Sequence, residues 1–268
     1  MNAITPGRFF AMAGVVVLAS LASACAQQNG YQVERPAMLQ SASTYALAGN
    51  YDQAVIAYTD FLGTNTRNEF TGEGYVGRGN AYYKLGSYEL AESDFRSGLS
   101  AASDRTMKAQ ATMGMANSVF AMEKFDPAEK LYRQILRTYQ GLVPQDEVTY
   151  RLGMSLARQG KWDESLQLLG EVAGNYPSGE YAKYARAKMQ SVKNRFFTVQ
   201  VGAYTSKSVA DKTLADLKAK GFAGKLDPID IDGVAGYAVR SGVMASWRDV
   251  SDYASKLKDA GFSTYKLP

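Results

Sequence analysis

The chain contains no histidine in 268 residues. That absence removes Ser-His-Asp and Cys-His nucleophile systems, together with every histidine-ligated zinc site. Carboxylate-only chemistry survives the cut. Cysteine is nearly absent too: Cys25 is the only one, so no intramolecular disulfide can form and the fold must rest on packing. Neither sign of charge dominates. The 30 Lys and Arg against 26 Asp and Glu leave +4, too weak a balance to point to nucleic acid. The N-terminal apolar stretch, Phe9 to about Leu21, is too short and too rich in small residues at its end for a comfortable membrane span.

What is present starts with that stretch. "MNAITPGRFFAMAGVVVLASLASAC" has a short leading region with Arg8, an apolar core and a small-residue end, the pattern of a secretory signal. Two readings of its end stand side by side. One is ordinary cleavage after Ala22-Ser23-Ala24. The other resembles a lipobox, Ala22-Ser23-Ala24-Cys25, in which Cys25 becomes the lipidated first residue. The lipobox pattern prefers Leu three residues before the cysteine, whereas here Leu21 stands four before it. On the lipobox reading residues 1–24 are the signal and 25–34 a lipidated tether. Ala26, where enteric inner-membrane lipoproteins carry Asp, then implies a periplasmic protein anchored to the outer membrane of a Gram-negative cell.

The middle of the chain repeats. "YALAGNYDQAVIAYTDFL", "YYKLGSYELAESDFRSGL", "FAMEKFDPAEKLYRQIL" and "LARQGKWDESLQLLGEV" align with an aromatic at Tyr51, Tyr88, Phe125 and Trp162, 37 residues apart each time. Three residues later stands a small residue (Ala54, Ala91, Ala128, Ser165), and four beyond it a large one (Tyr58, Phe95, Tyr132, Leu169). Gly49, Gly86 and Gly160 supply a permissive backbone at the turn between two amphipathic runs. No such pair can bury its apolar face alone, so the pairs must stack into an all-α solenoid.

This pattern resembles the tetratricopeptide repeat (TPR), with Gly79, Tyr82, Ala91 and Phe95 at signature positions and Pro177 as a closing proline. Four repeats are expected over 35–177, with "SGEYAKYARAKMQSVKN" capping the stack in a segment of 178–195. The resemblance implies a protein or peptide partner in a concave groove lined by the first helix of each pair. Position by position, that groove takes Val76, Asn80, Tyr83 and Lys84, then Met113, Asn117 and Phe120, then Tyr150, Met154 and Arg158.

Residues 196–268 are a duplicated strand-helix-strand unit. Phe197 aligns with Tyr237, Val199 with Val239, Gly202 with Gly242, Leu217 with Leu257 and Gly221 with Gly261, and Gln200 falls opposite Arg240. The sequence predicts βαββαβ: a four-stranded antiparallel sheet, helices on one face, a hairpin at Asp232-Gly233, and the first and third strands central. Val199, Val201, Tyr237 and Val239 then face the helices, while alternation sends Thr198, Gln200, Ala238 and Arg240 to the open face. An amide and a guanidinium on an open sheet face suit a hydroxyl-rich ligand.

"FTVQVGAY", "KAKGF" and "YAVRSGVMAS" resemble the SPOR (sporulation-related repeat) domain of bacterial envelope proteins, with Gly242-Val243-Met244 departing from the commoner "GPF". The resemblance implies binding of peptidoglycan, favouring glycan strands stripped of stem peptides, through the open face. The role carries to Gln200 and, with it, Ala203, Tyr204 and Arg240. RNA-recognition modules share the topology but use paired aromatics on the central strands, so no nucleic-acid partner is expected. The whole reads as a non-catalytic localiser without metal or cofactor. Glu147 and Glu164 read as solvated helix residues rather than catalytic acids. Its rivals are a wall-cleaving enzyme and an assembly lipoprotein of a tight-adherence pilus or secretion machine.

Overall fold

The computed structural model describes residues 34–64 and 68–267. The signal, Cys25 and most of the tether lie outside them. Among the described residues, nine helices come first. They pair as α1 (Ala37–Leu47) with α2 (Tyr51–Thr64), α3 (Thr71–Lys84) with α4 (Tyr88–Ala101), α5 (Arg105–Ala121) with α6 (Phe125–Thr138), and α7 (Gln145–Arg158) with α8 (Trp162–Asn175). A ninth, α9 (Glu180–Lys193), closes the stack. The recurring aromatic is the first residue of α2, α4, α6 and α8.

Each turn within a pair closes the same way. Asn50, Ser87, Lys124 and Lys161 donate their backbone N–H to Tyr45, Tyr82, Val119 and Leu156, all at 2.9 Å. Such a closure needs a left-handed residue just past the first helix, and Gly49, Gly86 and Gly160 supply it at φ 78, 79 and 75°. The third turn is different: Glu123 takes that conformation at φ 60°, uncommon for a residue with a side chain.

The small and large residues pack as their spacing requires. Ala54, Ala91, Ala128 and Ser165 are fully buried, and Tyr58, Phe95, Tyr132 and Leu169 are core. Each large side chain reaches across to the next pair. A Cβ on Gly77 would lie 2.3 Å from the Tyr58 ring, and one on Gly114 2.4 Å from Phe95. Those glycines let the pairs approach.

The chain then forms β1 (Phe197–Tyr204), α10 (Lys207–Ala219), β2 (Lys225–Ile231), β3 (Val234–Met244), α11 (Trp247–Asp259) and β4 (Tyr265–Leu267). The strands are antiparallel in the order β2-β3-β1-β4. Phe197, Val199, Val201 and Val239 join Ala210, Leu217, Val250 and Leu257 in one core between sheet and helices, with Tyr237 packed against it. Asp232 and Gly233, at φ 53 and 85°, make the β2–β3 hairpin turn.

Almost no chain separates the two units. Arg195, left-handed at φ 57°, turns α9 into β1 and pairs with Asp163 of α8. Trp162 packs on Phe197 with ring centroids 4.9 Å apart. Trp247, at the start of α11, meets Phe125 edge-on at 5.4 Å and lies under the Arg158 guanidinium at 3.8 Å. The same indole donates from Nε1 to Glu123 at 3.1 Å, and Lys266 of β4 pairs with that carboxylate. So the one within-pair turn closed without glycine holds the C-terminal unit.

Candidate functional site: the open sheet face and the solenoid groove

The face of the sheet away from α10 and α11 is built by alternate residues. Lys225 and Asp227 of β2, Ala238 and Arg240 of β3, Thr198, Gln200 and Ala203 of β1, and Tyr265 and Leu267 of β4 share it through the observed register. Gln200 pairs directly with Arg240 on one side and Tyr265 on the other. Its amide has no hydrogen-bond partner among the described residues. Ala203 faces Ala238, which leaves the middle of the face shallow.

The charge is arranged around one carboxylate. Asp227 accepts from Arg240 at 3.1 Å and pairs with Lys225 at 3.0 Å. Arg240 Nε is buried without a partner among the described residues. About a quarter of the Arg240 side chain, 26%, is exposed.

Three sequence-predicted residues of this face are corrected. Thr198 is 5% exposed and donates its hydroxyl to the Gly242 carbonyl at 2.8 Å, so it braces β1 on β3. Tyr204 points the other way. The β1–β3 register slips between Gln200 and Gly202, a bulge that inverts the alternation beyond it. Tyr204 accordingly packs against the helix-side core, its ring folded over Gly202. Ala238 is fully buried and forms floor rather than contact. Tyr265, 56% exposed beside Gln200, is the residue that sequence reasoning missed. β4, three residues long, is too short for periodicity to show.

The groove divides likewise. Asn80 and Lys84 are exposed and Tyr83 is half-buried, as a lining requires. Val76 and Met154 are instead core, at 7% and 4% exposure. Met113 and Phe120 are half-buried and pack into the apolar cluster of repeats three and four, Phe120 edge-on to Phe125 at 5.4 Å. Asn117 is spent accepting from the Tyr132 hydroxyl at 2.8 Å. Arg158 belongs to the junction, where burial pulls its pKa down to about 10 and leaves it charged at neutral pH. Tyr150 is packed between Tyr181 and Tyr184 of α9, at 5.3 and 6.3 Å.

Glu147, expected to be solvated, is half-buried and holds Arg151 at 2.7 Å in the wall. Burial opposes the Arg151 charge, but Tyr132, Glu147 and Tyr83 around it outweigh burial and raise its pKa. Burial likewise raises the Tyr83 and Tyr181 phenols. Glu164 is exposed and pairs with Arg133. The groove therefore ends in a cluster of tyrosines beside one ion pair. Among the described residues no group of His, Cys, Asp or Glu is placed to hold a metal ion, and no helix is long and apolar enough to cross a membrane.

Comparison with known proteins bears on both regions. The family model "SPOR domain" matches residues 193–265, and the family model "Tetratricopeptide repeat" matches 39–105 and 113–188, more than half of the chain. Among solved structures, similar chains include MamA 41-end from Desulfovibrio magneticus RS-1, with 11% identity, 69% of this chain and 94% of that chain covered, and a TM-score of 0.48. A putative kinesin light chain from Podosopora anserina with nearly identical TPR-like repeats has 13% identity, 59% and 84% coverage and a TM-score of 0.49. YrrB, a TPR protein, has 17% identity, 66% and 84% coverage and a TM-score of 0.44. No curated protein sequence matches. SPOR domains bind peptidoglycan and tetratricopeptide repeats bind proteins, which makes the chain a scaffold of two binding modules. The chain belongs to the tetratricopeptide-repeat family and ends in a SPOR domain.

Proposed function

We propose that this protein is a non-catalytic localiser of the bacterial envelope, which reads glycan strands stripped of stem peptides and positions a protein partner on the wall. The observation that carries the reading is the open sheet face, where Gln200, with a free amide, stands between Arg240 and the exposed Tyr265. An amide offers donors and an acceptor to hydroxyl and acetamido groups, and a phenol ring offers a flat apolar surface to a sugar. Stripping a strand exposes a carboxylate on each muramic residue, the acceptor that Arg240 and Lys225 suit.

On this reading Cys25 carries the lipid, the protein sits in the periplasm on the outer membrane, and naked glycan directs it to division septa. Two anchors on one chain raise the effective concentration at the wall wherever the tether can span the gap. The groove around Asn80, Tyr83 and Lys84 takes the partner. Photocrosslinking from Tyr83 identifies it, and a pilus or secretion component recovered there would replace the division role.

Pelleting of the full chain with purified peptidoglycan, with and without amidase treatment, tests the glycan reading. Stronger pelleting on stripped strands, reduced about tenfold in Gln200→Glu and Arg240→Ala, is expected for lost charge-assisted contacts. Equal absence of pelleting on both substrates sinks the reading. Turnover of the sacculi would instead revive the enzyme.

A further inference from the structure

The 37-residue repeat continues past the fourth pair. Counting on from Gly77, Gly114 and Arg151 reaches Lys188, and counting on from Asn80, Asn117 and Met154 reaches Ser191. Tyr83, Phe120 and Ala157 lead in the same way to Asn194. Helix α9 is therefore the first helix of a fifth repeat whose second helix is replaced by the sheet. Of these positions, that of Ser191 is the one equivalent to Asn80 and Asn117 of the predicted groove.

The contacts agree with that count. Ser191 and Asn194 line a small cavity with Thr198, Lys225, Asp227, Arg240 and Leu267. The Lys188 ammonium lies 6.0 Å from the centre of the Tyr265 ring. Asn194 is exposed, and its amide has no partner among the described residues. At the other end of α9, Tyr181 and Tyr184 close the groove against Tyr150. Burial, and after it the Tyr265 phenol, push Tyr150 up to about 12.

We propose that the saccharide site is composite, with the sheet as its floor and α9 as its wall. The acidic glycan strand lies in the corner between them. Gln200, Arg240 and Tyr265 contact it from the sheet, while Lys188 and Asn194 contact it from the solenoid. Three cations (Lys188, Lys225 and Arg240) against one carboxylate (Asp227) give the corner the sign that muramic carboxylates require. An isolated sheet lacks Lys188 and Asn194. This inference rests on the glycan reading above.

The test is the full chain pelleted with amidase-stripped glycan, comparing Lys188→Ala, Asn194→Ala and Tyr265→Ala with the parent and with Gln200→Glu. Each new variant is expected to weaken binding about three- to tenfold, the range for one lost charge-assisted or stacking contact. Reduction of the glycan carboxylates to alcohols is expected to weaken the parent, and to weaken Lys188→Ala by less, since only Arg240 and Lys225 then remain to meet them. The exposed or half-buried positions leave folding intact, checked by circular dichroism. If the parent and the α9 variants bind alike while Gln200→Glu fails, the sheet acts alone and the composite site is wrong. If the parent itself does not bind, the glycan reading falls first.

Discussion

Glu129 is the residue on which the third and fourth repeats depend electrostatically. Its carboxylate accepts from Lys161 at 2.7 Å, Gln159 at 2.8 Å and Arg133 at 2.9 Å, and only 8% of the residue is exposed. Burial pushes its pKa up, but the hydrogen bonds from Lys161, Arg133 and Gln159 outweigh it and bring the value down to about 2. A pKa lower in the folded than in the unfolded chain means stability that is present above the unfolded value and lost as pH falls towards the folded one. Glu129→Gln is expected to lower stability by about 1–3 kcal/mol at pH 7. The gap should shrink steadily between pH 5 and roughly pH 2 in urea denaturation. A pH-independent gap would show that the side chain acts by packing.

At the scale of the element, helix pairs are set apart by what their glycines refuse. A methyl at Gly114 would lie 2.4 Å from the ring of Phe95, which is 1% exposed and has nowhere to go. Overpacking of that kind costs about 1–3 kcal/mol, more than the roughly 1 kcal/mol a helix gains from Gly→Ala. Gly114→Ala should therefore lower the melting temperature, whereas Gly63→Ala in α2, with nothing within 4 Å of the added atom, should hold or raise it. Equal behaviour of the two would refute the packing argument. Elements were also where the sequence spoke most clearly. The period of 37 placed four helix starts to the residue, and strand alternation put Val199, Val201 and Val239 in the core. The same alternation failed at Tyr204, because a bulge is a property of two paired strands and has no mark in one of them.

The whole molecule is held by a junction of few residues. Its two tryptophans, Trp162 and Trp247, both sit there, against Phe197 and against Phe125 and Arg158. Intrinsic emission therefore reports on docking. Trp247→Ala removes ring contacts with Phe125 and Phe197, cation–π contacts with Arg158 and Lys266, and the hydrogen bond to Glu123, about 2 kcal/mol or more together. One shared thermal transition in the parent is expected to split into two, with residual Trp162 emission shifting in the earlier one. A single transition at the parent's midpoint would mean that the Trp247 contacts contribute nothing to the docking of the two units. Loss of docking also takes α9 from the sheet, so the variant should bind stripped glycan as weakly as Lys188→Ala.

Sequence alone determined the solenoid, the βαββαβ order and the side of the sheet on which Gln200 and Arg240 lie, since periods of 37 and of two are written in the order of residues. It placed glycine at three of the four turns within pairs, while the left-handed Glu123 of the remaining turn came from the structure. Tertiary structure decided which polar groups are free. Asn117 and Thr198 look available in sequence yet are consumed by Tyr132 and by a β3 carbonyl, while Tyr265 and Lys188 become site candidates through neighbours 77 residues apart. Local patterns fix which face a side chain takes; only packing between distant segments fixes what that face meets.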